Sequence, residues 1–266
     1  MENSTGPSIL PVKDPPKEKP RKILHPNLPE LPTIMVLVMP TKSGKSTILS
    51  NLLLREDFYK GVFDNVTIMS NTIQQDKTSR FLRKACDCYT GYDDNVLAGI
   101  IEQQKSFDDD ERPFVGMIFD DILGSVKRSS YLNHLVTRSR HYGVGLLAIS
   151  VQSFKAVGPT IRNNCNSFIC GNLQNMSEMD KISAEYNGMF GGDLKFRQIY
   201  AEATKDRYDF MYLDLQSNPS RAFRSFSDLL AVGDKLMFGP EGGAQTNLLD
   251  MPDSSTDVET IPETKS

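Results

Sequence analysis

Neither sign of charge is in large excess: 30 lysines and arginines stand against 34 aspartates and glutamates, for a formal net charge of −4. That balance excludes a protein coated in basic surface, so any contact with nucleic acid must be local, at loops or around a channel. Cysteine is scarce. The four cysteines, Cys86, Cys88, Cys165 and Cys170, have no CxxC spacing, and no histidine lies near enough in sequence to complete a metal set. They read as free thiols of a reducing compartment. No apolar stretch approaches the roughly 20 residues that cross a bilayer. The start, MENSTGPSIL, is polar and lacks the apolar run of a secretory signal. The expectation is a soluble, intracellular protein with no membrane partner. Internal repeats are absent as well.

What is present is enough apolar material, 39% of 266 residues, to bury the core of one sizeable domain with flexible ends. Residues 1–32 are rich in proline and lysine (PVKDPPKEKPRK), which removes backbone donors and opposes helix, so an extended or disordered arm is expected there. Its lysines and Arg21 are read either as solvated or as contacts to DNA or a capsid protein. Residues 236–266 are rich in Gly, Ser, Thr, Pro and acidic side chains, a composition that cannot offset the entropy of ordering, and are expected to form a disordered acidic tail. The folded domain is therefore placed at 33–235.

Within it, short apolar runs alternate with helical stretches. Strands are expected at Thr33–Met39, Asn65–Ser70, Phe114–Asp120, Gly145–Val151, Asn166–Asn172 and Asp209–Leu215. They are apolar or β-branched on both faces, as strands covered on both sides by helices must be. Helices are expected at Ser46–Leu54, Lys77–Cys86, Asn95–Lys105, Tyr131–His141 and Met176–Tyr186. The alternation predicts an α/β fold with a doubly wound, mostly parallel sheet. In such sheets ligands bind beyond the carboxyl ends of the strands.

The strongest local signal follows the first strand: Met39-Pro40-Thr41-Lys42-Ser43-Gly44-Lys45-Ser46-Thr47, leading into ILSNLLL. A strand, a tight loop and then Gly-Lys-Ser opening a helix form a phosphate-binding arrangement, in which backbone N–H groups of Thr41–Thr47 and the helix terminus hold the phosphates of ATP. Lys45 would reach the β- and γ-phosphates, and the Ser46 hydroxyl would ligate Mg²⁺. Met39 stands where the usual pattern has glycine, so the chain must approach the loop through a stiffer turn.

The run MIFDDIL ends a strand on two carboxylates. Asp120 is assigned to the metal through water, and Asp121 to the attacking water as catalytic base, at a position where many ATPases carry the longer glutamate. Gln152, after GLLAISV, is placed to hydrogen-bond the γ-phosphate or that water. Arg138 and Arg140, with His141, precede this strand, and Arg162 follows it. An arginine that reaches a neighbouring subunit's γ-phosphate stabilises charge in the transition state, and Arg138 and Arg140 are the preferred pair.

The order GKST, MIFDD, TRSRHYGVGLLAISVQ and PTIRNNCNSFI resembles the poxvirus-type genome-packaging ATPases of large DNA viruses, within the wider group of DNA-translocating P-loop ATPases. The similarity spans about residues 33–215. Lys45, Ser46, Asp120, Asp121 and Gln152 match that family's functional positions, and Met39 departs from its glycine-rich loop. The resemblance implies ATP hydrolysis coupled to moving double-stranded DNA into a preformed capsid by a homo-oligomeric ring. It further implies viral capsid or portal proteins as partners, and a place in the host cell, in a cytoplasmic virus factory or the nucleus, or with the virion. Three other readings stay open. A nucleotide kinase would need an arginine-rich lid, and the one candidate, Asp193–Arg207, reads instead as a loop and strand edge. A helicase or remodeller would normally add a helical domain. A virion protein that binds nucleotide with a decayed site is the third.

Overall fold

The computed structural model describes residues 24–122 and 130–239. Ten strands form one sheet in the order β10-β9-β8-β7-β6-β1-β5-β4-β2-β3. The strands are β1 (Thr33–Val38), β2 (Asn65–Ser70), β3 (Asp87–Thr90), β4 (Val115–Asp120), β5 (Val144–Val151), β6 (Ser167–Cys170), β7 (Met211–Asp214), β8 (Arg221–Arg224), β9 (Asp228–Val232) and β10 (Lys235–Leu236). From β6 through β1, β5, β4 and β2 to β3 every pairing is parallel. From β6 outward through β7, β8 and β9 to β10 every pairing is antiparallel.

Period-two alternation explains why these runs pair as buried strands. Along β1, Ile34, Val36 and Val38 enter one apolar cluster while Met35 and Leu37 enter the other. β4 divides in the same way, with Met117 and Phe119 on one face and Ile118 on the opposite one. The second face is closed by α1 (Lys45–Leu54), through Ile48, Leu49, Leu52 and Leu53, with Leu82 of the single-turn α2 (Leu82–Ala85). The first face carries the larger helical layer: α3 (Asp94–Lys105), α4 (Ser130–Arg138), α5 (Pro159–Asn164), α6 (Met176–Tyr186) and α7 (Asp193–Ala203). No described helix is long and apolar enough to cross a membrane.

All six expected strands are present, with ends within a few residues, and the α/β class with a mostly parallel central sheet holds. Four expectations are corrected. Asp193–Arg207 is not a loop and strand edge, because Asp193–Ala203 is a helix whose Phe196, Ile199 and Ala203 form one buried stripe. The helix expected over Lys77–Cys86 is broken into a 3₁₀ turn, Thr78–Arg80, and the short α2; beyond it lies the edge strand β3, which is not among the six expected strands. Folded chain begins before residue 33: Leu28 is buried, and the Asn27 amide donates to the carbonyls of Phe226 and Ser227 at 3.0 and 3.1 Å. At the other end it passes residue 235, since Leu236 is buried and Met237 N–H donates to Leu230 at 2.9 Å. The remainder of the expected arm, 1–23, and of the expected tail, 240–266, lies outside the described residues.

Candidate functional site

β1, β4 and β5 are adjacent and parallel, so their carboxyl ends share one edge of the sheet. Three segments meet there: the loop after β1, the Asp120-Asp121 pair ending β4, and Gln152 after β5. Lys42 and Gly44 both take left-handed backbone, φ 64° and 98°, which wraps Thr41–Gly44 into a tight turn. The Ser43 hydroxyl donates to the Pro40 carbonyl at 2.6 Å and fixes it. Helix α1 starts at Lys45 with Gly44 as its cap and no side-chain cap bond among the described residues, which leaves its first N–H groups and the positive end of the helix to an anion.

Met39 is fully buried, and its N–H donates to Val151 O at 2.9 Å, extending the sheet to the loop's edge. The bulk introduced by methionine is accommodated across the strand by Gly171, where a Cβ atom would come within 3.1 Å of Met39 Cε. The departure from the glycine pattern is thus absorbed in the core, away from the loop that holds Lys45 and Ser46.

Lys45 Nζ pairs with Asp121 Oδ2 and lies 3.4 Å from Asp120 Oδ1. All three side chains are largely shielded, which strengthens the pairing over an exposed one. Gln152 Nε2 donates to Asp121 Oδ2 at 3.2 Å. Lys45, Asp120, Asp121 and Gln152 therefore form one connected constellation, as their order in the sequence predicts. Asp121 takes φ 52°, a left-handed conformation that places its carboxylate over the loop. Its N–H donates to Ser150 O, and its carbonyl accepts from Asn71 Nδ2 at 3.1 Å.

Asp120 is buried and gripped from both neighbouring strands. Ser70, ending β2, donates to Oδ2 at 2.9 Å, and Ser150 of β5 donates to Oδ1. Asp76, in the segment after β2, accepts from Thr78 N–H at 2.9 Å and from the Ser79 hydroxyl at 2.8 Å. Desolvation pushes the Asp76 carboxyl up, but interactions with Ser46, Ser79 and Thr78 outweigh it and hold the group below its ordinary value. The Ser46 hydroxyl and the Asp120 carboxylate are the residues that would hold Mg²⁺, a hard cation that takes oxygen ligands and retains several of its waters. Ser70, Ser150 and Asn71 were not legible as site residues. Ser70 and Ser150 carry only the faint signal of a hydroxyl closing an apolar strand run.

Arg138 and Arg140 are exposed, at the end of α4 and in the 3₁₀ turn Ser139–Tyr142, just before β5 begins. They sit at the opposite end of β5 from Gln152, so the fold does not bring them to their own chain's site. Arg162 is engaged internally, 3.3 Å from Glu185 and stacked 5.5 Å from the Phe154 ring. None of the four cysteines is bonded to another. Desolvation pushes the Cys86 and Cys165 thiols up to about 12, which leaves them unreactive near neutral pH.

With this geometry fixed, comparison with solved structures places the architecture. The genome-packaging NTPase B204 of Sulfolobus turreted icosahedral virus 2, in complex with AMP, matches with a TM-score of 0.53 at 18% identity, over 73% of this chain and 97% of that one. B204 described as the DNA-packaging ATPase of Sulfolobus turreted icosahedral virus matches with a TM-score of 0.51 at 16% identity, over 73% and 97% of the two chains. The fold they share is a mostly parallel central sheet flanked by helices. No protein-family model and no curated protein matches the sequence. At these identities the likeness concerns the fold, and the site stands on its own residues.

Proposed function

We propose that this chain is a Mg²⁺-dependent ATPase that moves double-stranded DNA into a preformed viral capsid, working as a homo-oligomeric ring with capsid or portal proteins as partners. The observation that carries the hydrolytic part is the constellation of Lys45, Asp120, Asp121 and Gln152 beside the N-terminus of α1. In support of the nucleotide, the B204 structures are complexes with AMP and with ATP-gammaS. In support of the DNA stands the similarity to B204, a DNA-packaging ATPase, and in support of the capsid the resemblance carried by the block from TRSRHYGVG to IRNN.

The chemistry follows from the pairing. The ammonium of Lys45 neutralises Asp121. Phosphate oxygens in the loop compete for that ammonium together with the N–H groups of α1's first turn. Asp121, relieved of its cation, is then free to accept a proton from water, while the Gln152 amide, already within reach of the same oxygen, orients that water. Bound Mg²⁺ would neutralise charge on the phosphates. Ser70 and Ser150 keep the Asp120 carboxylate in one orientation throughout.

The test is steady-state ATP hydrolysis with Mg²⁺, with and without double-stranded DNA, beside Lys45→Ala. The expected result is turnover that rises with DNA and is lost in the variant. Unchanged turnover in Lys45→Ala overturns the site, and turnover indifferent to DNA overturns the motor.

A further inference from the structure

The sheet order fixes which way a nucleotide must lie across the loop. The groups assigned to the γ-phosphate end, Asp120, Asp121, Gln152 and Ser70, all stand on the β5, β4 and β2 side of β1. With the phosphates held at Gly44–Thr47, the nucleoside must therefore leave on the other side, toward β6 and β7.

On that side stands Tyr208, in the segment joining α7 to β7. Its ring borders the phosphate loop: a Cβ on Gly44 would lie 3.6 Å from Tyr208 Cδ1. The residue is 56% exposed, unusual for a large aromatic beside a folded core. Its backbone is left-handed at φ 74°, a strained conformation for a bulky side chain. The surrounding segment holds it there. Asp209 N–H donates to Asp206 O at 3.2 Å, the Ser225 hydroxyl donates to Asp209 Oδ1 at 3.4 Å, and Asn172 Nδ2 reaches Thr204 O at 3.4 Å. The Arg207 guanidinium lies over one face of the ring, 4.8 Å from its centroid, and holds the ring in place from that side. Strain maintained by neighbours, an exposed aromatic face and contact with the phosphate loop coincide at one residue.

We infer that Tyr208, backed by Arg207, is the platform on which the nucleobase of the bound nucleoside triphosphate stacks. The inference rests on the phosphate-loop reading above and adds the class of ligand at its far end. Because every base has a π-face, a platform of this kind binds purines with little discrimination.

Calorimetric titration of the full chain with ATP, GTP and tripolyphosphate, in the presence of Mg²⁺, tests it. The parent protein is expected to bind ATP and GTP with similar affinity, and both more tightly than tripolyphosphate. Asparagine tolerates left-handed backbone but offers no aromatic face. Tyr208→Asn should therefore weaken ATP and GTP about ten-fold and leave tripolyphosphate unchanged, while Tyr208→Phe restores ATP binding. Equal ATP binding in the parent and Tyr208→Asn overturns the platform. So does a parallel loss of tripolyphosphate, which would mean that Tyr208 only shapes the loop. Lys45→Ala separates the two readings: if it leaves all three ligands bound as before, the phosphate loop itself is wrongly assigned, whatever Tyr208 does.

Discussion

Asp121 carries two demands at once, since its carboxylate must meet Lys45 and Gln152 while its backbone sits at φ 52°. Both are compatible with asparagine, which adopts left-handed backbone readily and has nearly the same shape. Asp121→Asn is therefore expected to fold normally and bind ATP, but to lose turnover by at least about 100-fold, the usual scale for removing a general base. Rapid-quench hydrolysis beside a nucleotide-binding titration would check this, and turnover within a few-fold of the parent would move the base elsewhere. The carboxylate at Asp120 differs in kind. Buried between Ser70 and Ser150, it is oriented by hydroxyls that belong to neighbouring strands rather than to its own. The meeting of Lys45, Asp120, Asp121 and Gln152 was legible because each follows an apolar strand run or the loop after one. The hydroxyls that aim Asp120 were not, since their relation to it exists only across the sheet.

At the scale of elements, the connection from β5 to α5 is held by α6. Glu178, in the first turn of that helix, is buried. Its Oε2 accepts from the Ser153 hydroxyl at 2.9 Å and from the N–H groups of Phe154 and Lys155 at 2.6 and 3.4 Å, while Lys181 pairs with Oε1 at 3.0 Å. These bonds begin one residue after Gln152, so α6 acts as the brace of the strand end that presents it. Desolvation pushes the Glu178 carboxyl up, but the bonds from Lys181, Ser153 and the two backbone donors outweigh it and hold the group below its ordinary 4.5. The stabilisation is thus complete above the ordinary value and is lost as pH falls through the lower folded value. Glu178→Gln is expected to lower stability by about 1–3 kcal/mol near neutral pH. The gap to the parent should close under acid conditions in urea titrations run across pH. A gap that persists undiminished at acid pH would show that the ionised carboxylate is not what holds the brace. Legibility was uneven at this scale. Met176–Tyr186 was expected to its exact ends, whereas α7 was missed because its charged residues mask the buried stripe of Phe196, Ile199 and Ala203.

For the whole molecule, the position of Arg138 and Arg140 matters most. β5 is 8 residues long. At about 3.3 Å per residue it separates these arginines from Gln152 by roughly 25 Å, so they do not reach their own chain's site, and in the proposed ring they would serve a neighbouring subunit's. Arg138→Ala or Arg140→Ala should therefore lower turnover only under conditions of assembly. Adding Lys45→Ala subunits, which keep both arginines, should restore part of it. Activity that is unaffected in the assembled protein, or lowered equally in isolated subunits, would remove the arginines from catalysis.

The sequence by itself determined five of the six parallel strands, the loop between β1 and α1 and the order in which the carboxylates and glutamine arrive. These depend on periodicity and on contacts between neighbours in the chain, where each strand's burial on both faces is written into its own residues. Only the tertiary structure decided the antiparallel extension from β7 to β10, the grip of Ser70 and Ser150 on Asp120, the match of Gly171 to Met39 and the meeting of Tyr208 with Gly44. Each of these joins residues far apart in sequence, and short half-buried strands such as Arg221–Arg224 carry too little alternation to declare their partners. Their positions follow from long-range pairing and the exclusion of water, which no local window of the chain contains.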